Sequence, residues 1–245
     1  MPAKNWDHHV VDAETVARTE GFERLRDLIV ERAQPAADDV VVDVGAGTGL
    51  LSLELAQVVE RVWAIDISAA MAGYLRTKAA SAGLDNIDVA VSSAASLPLV
   101  DGSADLVVSN YCFHHLPDAG KEAALAEAVR VLRPGGRLVF ADMMFRLGAA
   151  DPRDRAIIVA KMRSMVAKGP AGIVRLAKNG ARYATGRWEH PSPAPWWEDA
   201  LRRAGFTNIR VDVLEHEGGL ASARLAGSVE RPGSPASELA TVDAQ

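Results

Sequence analysis

The chain is 245 residues long, 49% hydrophobic, and carries a formal net charge of −5. That length and composition support one sizeable core, and the acidic balance argues against a general attraction to nucleic acid or to an anionic bilayer. The single cysteine, Cys112, excludes an intrachain disulfide and suits a reducing compartment. The polar start "MPAKNWDHHVVDAETVARTEG" has no apolar signal core, and no run approaches the roughly 18 apolar residues of a membrane span, so the expectation is a soluble cytoplasmic protein.

Residues 10–33 read as an amphipathic helix, with Val16, Phe22, Leu25, Leu28 and Ile29 at helical spacing. Residues 1–36 are therefore expected to form an N-terminal helical arm. Short Val/Ile-rich runs then recur at 39–44, 61–66, 86–91, 105–110 and 136–142, alternating with helix-like stretches at 48–59, 68–82 and 118–132. Nearly continuous apolar strands separated by amphipathic helices predict a doubly wound α/β domain with a mostly parallel sheet. Ser68 is placed to cap the second of these helices, and Gly83 to close it; "RPGG" (133–136) ends the third and opens a strand. At 144–190 the alternation breaks. This stretch reads as a helical lid insertion, two helix-like pieces with a Pro-Gly break at "KGPAG". A helix from "PWWEDALRRAGF", a strand from "TNIRVDVL" and a final strand from "LASARLAGSV" complete a domain over 37–230. The Pro/Ser/Ala-rich tail at 231–245 is expected to be disordered.

The densest signal is "VVDVGAGTGLLSLEL" (41–55), where Gly45, Gly47 and Gly49 follow an apolar strand that carries Asp43. In an open α/β sheet, ligands bind beyond the carboxyl ends of the strands, where glycine permits a tight turn and a close backbone approach. Asp66 ends the second strand, 21 positions after Gly45, and is placed to accept hydrogen bonds from ribose hydroxyls. The run G-A-G-T-G is not the G-x-G-x-x-G of a dinucleotide site. A carboxylate at Asp43 would repel a pyrophosphate and suits an ammonium group. The ligand implied has a ribose and a positively charged end, as S-adenosylmethionine does. An NAD-dependent oxidoreductase and a non-catalytic, regulatory protein that retains the cofactor site remain as alternatives.

"VVDVGAGTGLLSLEL", "VWAIDIS", "SLPLVDGSADLVVSN", "FHHLPD" and "VLRPGGRLVFAD" together resemble the successive motifs of class I S-adenosylmethionine-dependent methyltransferases, nearest to the small-molecule group that includes the ubiquinone/menaquinone-type enzymes. The resemblance is tight over 38–143, loose over 194–228, and absent from 144–190. It implies a seven-stranded Rossmann-like sheet with the last strand antiparallel, and methyl transfer to a small-molecule oxygen, nitrogen or carbon. It also implies that Asp43 and the loop Gly45, Ala46, Gly47 and Gly49 hold the aminocarboxypropyl end. Asp66 would bind the ribose, Ile67 would pack on adenine, Met71 would touch the cofactor, and Asn110 would line the methionine side. Where the family usually has Gly-Asp-Ala, this chain has Ser92-Ser93-Ala94; a hydroxyl replaces the carboxylate, while the Ala94 N–H can still meet adenine.

"NYCFHHLPD" (110–118) falls where methyl donor and acceptor should meet, making His114 and His115 candidate general bases; a loop-capping role competes. Asp142, at the end of the fifth strand, could assist a base or remain a solvated strand-end carboxylate. Cys112 with the two histidines is too tightly spaced for a usual zinc knuckle, so no metal is expected. Trp6 is a weak site candidate on an arm that also carries His8 and His9. Trp196 and Trp197 are read as packing residues rather than an acceptor clamp. From Arg155 to Trp188 there are eight basic residues and no Asp or Glu, so the rest of the chain carries 19 basic against 32 acidic residues. Such a segment is a solvated amphipathic face, a capture surface for an anionic acceptor, or a peripheral contact with an anionic membrane holding a lipid-like acceptor. Without a basic platform interleaved with aromatics, nucleic acid is not expected as a partner. Oligomeric state is left open.

Overall fold

The computed structural model describes residues 5–146, 151–167, 169–184, 189–214 and 217–227. The tail from Arg231 lies outside them, as do Lys168, Arg187 and Trp188 of the basic segment. A 3-10 turn at Trp6–His9 leads into α1 (Val10–Ala17) and α2 (Glu20–Ala33). Strands β1 (Val40–Val44), β2 (Arg61–Asp66), β3 (Ile87–Val91), β4 (Ala104–Asn110) and β5 (Leu132–Met143) then alternate with α3 (Ser52–Leu55), α4 (Ala69–Ser81) and α5 (Asp118–Val131). Helices α6 (Pro152–Ala167) and α7 (Gly169–Ala184) pack on one another. Helix α8 (Ala194–Arg203), β6 (Phe206–Val213) and β7 (Gly218–Leu225) finish the fold.

The seven strands lie in the order β3-β2-β1-β4-β5-β7-β6. The first five are parallel, and β7 is antiparallel to both β5 and β6. Chain order reverses between β1 and β4, the switch point where such sheets open a crevice. Side-chain alternation in the strands feeds two cores. Val42, Val44, Val107, Leu138 and Phe140 pack with Leu125 of α5 and with Trp197 and Leu201 of α8. Val41, Val62, Leu106, Val108 and Val139 pack with Ile29 of α2 and Leu55 of α3. Burial on both faces explains why these strands read as continuous apolar runs.

Several expected boundaries shift for local reasons. The single helix foreseen over 10–33 is two, because Thr19 is extended (ψ 145°) and turns its hydroxyl back to the Val16 carbonyl at 2.7 Å. The helix foreseen over 48–59 shrinks to Ser52–Leu55; Gly49 sits at φ 92°, outside helical space, and tight turns follow Leu55. The fifth strand begins four residues early, where Leu132 pairs with Ala104 before a register shift. The expected caps of α4 are in place, with Ser68 Oγ accepting the Met71 N–H at 3.1 Å and Gly83 at φ 67° just beyond the C-terminus.

Trp197 is packing, as expected. It is 1% exposed, its ring 4.7 Å from Phe140 and 5.7 Å from Phe113, and its indole nitrogen has no partner among the described residues. Trp197→Ala is therefore expected to cost about 3–5 kcal/mol in denaturant unfolding. Trp197→Phe, which removes the unsatisfied donor and keeps a ring, should cost markedly less.

Candidate functional site

The carboxyl ends of β1, β2, β4 and β5 bring together most of the residues singled out from sequence. At the end of β1 the chain turns sharply. The Gly45 and Ala46 amides both donate to the Ile65 carbonyl, at 2.8 and 3.0 Å, lashing the turn to β2. All three loop glycines have positive φ, 74° at Gly45, 53° at Gly47 and 92° at Gly49, but they meet different needs. A Cβ on Gly45 would run into Cys112 Sγ, and one on Gly49 into Leu75. Those two are required by the protein's own packing. A Cβ on Gly47 would meet nothing closer than 4.0 Å, so this glycine borders open space.

Two carboxylates flank the turn. Asp66 accepts the Gly47 amide on Oδ2 and the Ser68 amide on Oδ1, both at 2.8 Å. Burial raises its pKa, and those amides oppose the rise. Asp43 is 1% exposed and accepts the Ser52 hydroxyl at 2.6 Å. Burial lifts its pKa to about 7, the nearby Asp66 charge adds to the rise, and Ser52 opposes it. The turn is thus a negative well that a cation would relieve. Asn110, at the end of β4, holds a buried side-chain oxygen without a partner among the described residues.

Beyond β2, Ile67 is 55% exposed, available to pack on a flat ligand. Met71 is buried in α4, and Ser93 and Ala94 are half-buried past β3, Ser93 Oγ accepting the Ala95 amide at 3.2 Å. The N-terminal arm closes this side. Asp7 accepts from Ser68 Oγ at 2.5 Å and from the Ala70 amide at 3.1 Å, and Trp6 packs on His115 with ring centroids 4.5 Å apart.

The other side of the crevice is built on Asp142. This residue is 1% exposed, which sets aside a solvated strand-end carboxylate. Its Oδ1 lies 2.6 Å from His114 Nδ1 and accepts the Met143 amide at 2.6 Å, while Oδ2 accepts the His114 amide at 3.1 Å. Against a carboxylate, His114 Nδ1 carries the proton, leaving Nε2 as an acceptor. The turn before this pair is strained, with Tyr111 at φ 53°, a region that disfavours bulky side chains. Its ring lies 5.6 Å from His114 and 5.0 Å from Phe22, and it packs against Met143, Phe145 and Ile157. Tyr111 and Ile157 were missed in the sequence; a left-handed tyrosine carries no local signature, and Ile157 reaches the site only through the placement of α6.

Lys121, fully buried on α5, donates to the His190 carbonyl at 2.5 Å, to Ser192 Oγ at 2.7 Å and to Asp118 at 3.0 Å. The His190 amide donates to the His114 carbonyl at 2.7 Å. These bonds pin 189–192 beside the histidine turn and bring Glu189 to His114 and His115. One ligating atom from each of the three lies within 4.8 Å of the others. From the sequence no metal is expected, because Cys112 is the one third donor that its spacing sets beside the two histidines. Cys112 instead packs beneath Gly45, its thiol pKa raised by burial.

A mostly parallel seven-stranded sheet with this order, a glycine turn after β1 and an acidic residue at the end of β2 define the class I S-adenosylmethionine-dependent methyltransferase fold. Residues 41–136 match the family described as "Methyltransferase domain", so this segment is a methyltransferase domain. The match carries the class and does not single out the ubiquinone/menaquinone-type group. The chain is 28% identical over 222 residues to a 27-O-demethylrifamycin SV methyltransferase of Amycolatopsis mediterranei, covering 87% of this chain and 79% of that protein. It is 40% identical over 175 residues to a malonyl-[acyl-carrier protein] O-methyltransferase of Methylococcus capsulatus, covering 71% of this chain and 54% of that protein. Several curated relatives it matches are spanned over only about half their length, 55% in an uncharacterized methyltransferase of Anoxybacillus flavithermus. The fold is shared with a SAM-dependent methyltransferase from Aquifex aeolicus, at a TM-score of 0.62 and 19% identity over 89% of this chain and 98% of that one.

Proposed function

We propose that this chain is a methyltransferase that uses S-adenosylmethionine to methylate a hydroxyl of a small-molecule acceptor. The observation that carries the acceptor atom is the buried His114–Asp142 pair, because a hydroxyl needs a base to release its proton and an amine in its neutral form does not. The printed name of the Methylococcus relative, an O-methyltransferase, supports oxygen as the acceptor atom. The single free thiol, Cys112, suits a cytoplasmic setting.

The residues of the turn fit the cofactor. Asp43, with the unpartnered Asn110 oxygen, would receive the ammonium group. Gly45, Ala46 and Gly47 would let the aminocarboxypropyl end approach the backbone, with Gly49 holding the turn in shape. Asp66 would accept from the ribose hydroxyls, Ile67 would cover adenine, Met71 would touch the cofactor, and Ser93 with the Ala94 amide would meet the adenine edge. The sulfonium supplies an activated methyl group, so transfer demands alignment more than functional groups. On the acceptor side, His114 Nε2 would take the hydroxyl proton while the bound sulfonium would supply the methyl group to the freed oxygen. Asp142 holds the ring in the required tautomer and balances the imidazolium. His115, packed between Trp6 and His114 with centroids 4.5 and 3.9 Å away, would close the site rather than take the proton. Tyr111, Phe145 and Ile157 would form the apolar wall that excludes water.

The cofactor reading is tested by binding. Asp66→Ala and Gly47→Val should weaken S-adenosylhomocysteine binding, the first by roughly 10- to 150-fold for the loss of a charge-assisted hydrogen bond of about 1.5–3 kcal/mol. Because Asp43 has a raised pKa, folding favours its neutral form, and its contribution to stability falls as pH rises from the unfolded value towards about 7. A cation binds the ionised form, so affinity should rise with pH through that range, with proton uptake by buffer in calorimetry, and Asp43→Asn should flatten the profile. Unchanged affinity in all three variants would overturn the cofactor site.

The base is tested by turnover. His114→Ala should lower it by about 10²–10⁴ with cofactor affinity nearly intact, and Asp142→Asn should lower it through the wrong tautomer. Normal turnover in both would leave proximity alone as the catalyst.

An anionic or lipid-like acceptor is the reading favoured by the basic segment 155–188, whose helices expose Val159, Met162, Val166, Ile173 and Val174. Cations beside exposed apolar side chains suit an anionic head with an apolar body, or a peripheral membrane surface. Replacing Arg163 and Lys178 with Glu should raise the acceptor KM at low salt and leave cofactor affinity unchanged, the difference fading as salt screens the charges. Equal KM values at low salt would mean a merely solvated face.

A further inference from the structure

We infer that His114, His115 and Glu189 form a site for a divalent first-row transition metal, and that occupancy silences the base proposed above. Two imidazoles and one carboxylate are a facial donor set suited to zinc, iron, cobalt or nickel, with positions left open for water. The donor atoms already lie within 4.8 Å of one another, so modest rotamer adjustment brings them around one ion.

The set is held from three directions. The two histidines stand in one 3-10 turn, Phe113–His115, with ring centroids 3.9 Å apart. Glu189 arrives from the far end of the insertion, fixed by the His190 amide on the His114 carbonyl at 2.7 Å and by buried Lys121 on the His190 carbonyl at 2.5 Å. Asp142 supplies the outer support typical of a metal-binding histidine, a carboxylate 2.6 Å from Nδ1 that fixes the ring and makes Nε2 the better donor. The Asp142 and Glu189 carboxylates together balance a divalent charge. A cleft of about 360 Å³, lined by Asp118, Arg146, Glu189, His190 and Pro191, opens beside Glu189.

The consequence follows from atom counting. His114 has one nitrogen engaged with Asp142, so the remaining lone pair can take either the acceptor's proton or a metal ion. Metal binding and general-base catalysis therefore exclude one another. Dependence of the inhibition on His114 acting as base rests on the proposed function; the metal site itself does not.

The test uses the full-length chain stripped by a chelator, then titrated with Zn²⁺ and, separately, with Co²⁺. Wild type should retain about one Zn²⁺ per chain after gel filtration, and Co²⁺ should develop visible ligand-field absorption. Glu189→Gln and His115→Ala, each checked for fold by circular dichroism, should weaken Zn²⁺ binding by about tenfold or more and lose the Co²⁺ bands. Substoichiometric zinc in wild type, or affinity in both variants equal to wild type, overturns the site. In turnover assays Zn²⁺ should inhibit wild type and require a much higher concentration to inhibit Glu189→Gln. Zinc that leaves turnover unchanged at full occupancy, or raises it, overturns the exclusion between metal and base. A chain that binds zinc as expected yet methylates no acceptor refutes the proposed function and leaves the metal site standing.

Discussion

The acceptor side of this molecule is organised by one buried carboxylate. At 1% exposure Asp142 cannot be stabilised by bulk water, so its charge has to be met by protein donors. It takes the Met143 amide, the His114 amide and the His114 ring. The Met143 bond is local to the end of β5, while the His114 amide ties the turn after β4 to that strand. Satisfying the third fixes the imidazole. The strained backbone of Tyr111 is consistent with this constraint, since the turn must double back immediately after Asn110 for His114 to reach the carboxylate.

The cofactor side follows a related logic with a different outcome. Asp43 feels the charge of Asp66, and only part of the charge of the two is met by protein groups, Ser52 for one and two amides for the other. A ligand with a cation and hydroxyls, as in the proposed function, would meet the remainder. The glycine turn is compatible with such a ligand because its tightness is imposed from below by Cys112 and Leu75, which leaves the Gly47 side open. The N-terminal arm and the 189–192 segment then close over the two halves, and both converge on the histidine turn, Trp6 from one side and Glu189 from the other.

The strands, the α4 caps and the glycine turn were legible because each is encoded within a few residues. Apolar runs bounded by Gly and Asp mark buried parallel strands, and Ser68 and Gly83 are capping residues where a helix must begin and end. Legibility failed where local signals compete. The 48–59 run has helical spacing, yet the packing that fits Gly49 against Leu75 holds that residue at positive φ and delays the helix to Ser52. Thr19 likewise interrupts a good amphipathic pattern through a side-chain bond to the preceding turn.

By itself the sequence determined the fold class, the crevice at the carboxyl ends of the strands, and the candidate groups Asp43, Asp66, His114, His115 and Asp142, because strand periodicity and glycine chemistry act over short distances. Only the tertiary structure decided what those groups do to one another. Contacts that no local pattern announces join His114 to Asp142, 28 positions on, and Lys121 to His190, 69 positions on. Whether a carboxylate at a strand end is solvated or buried against an imidazole depends on what the rest of the chain places over it.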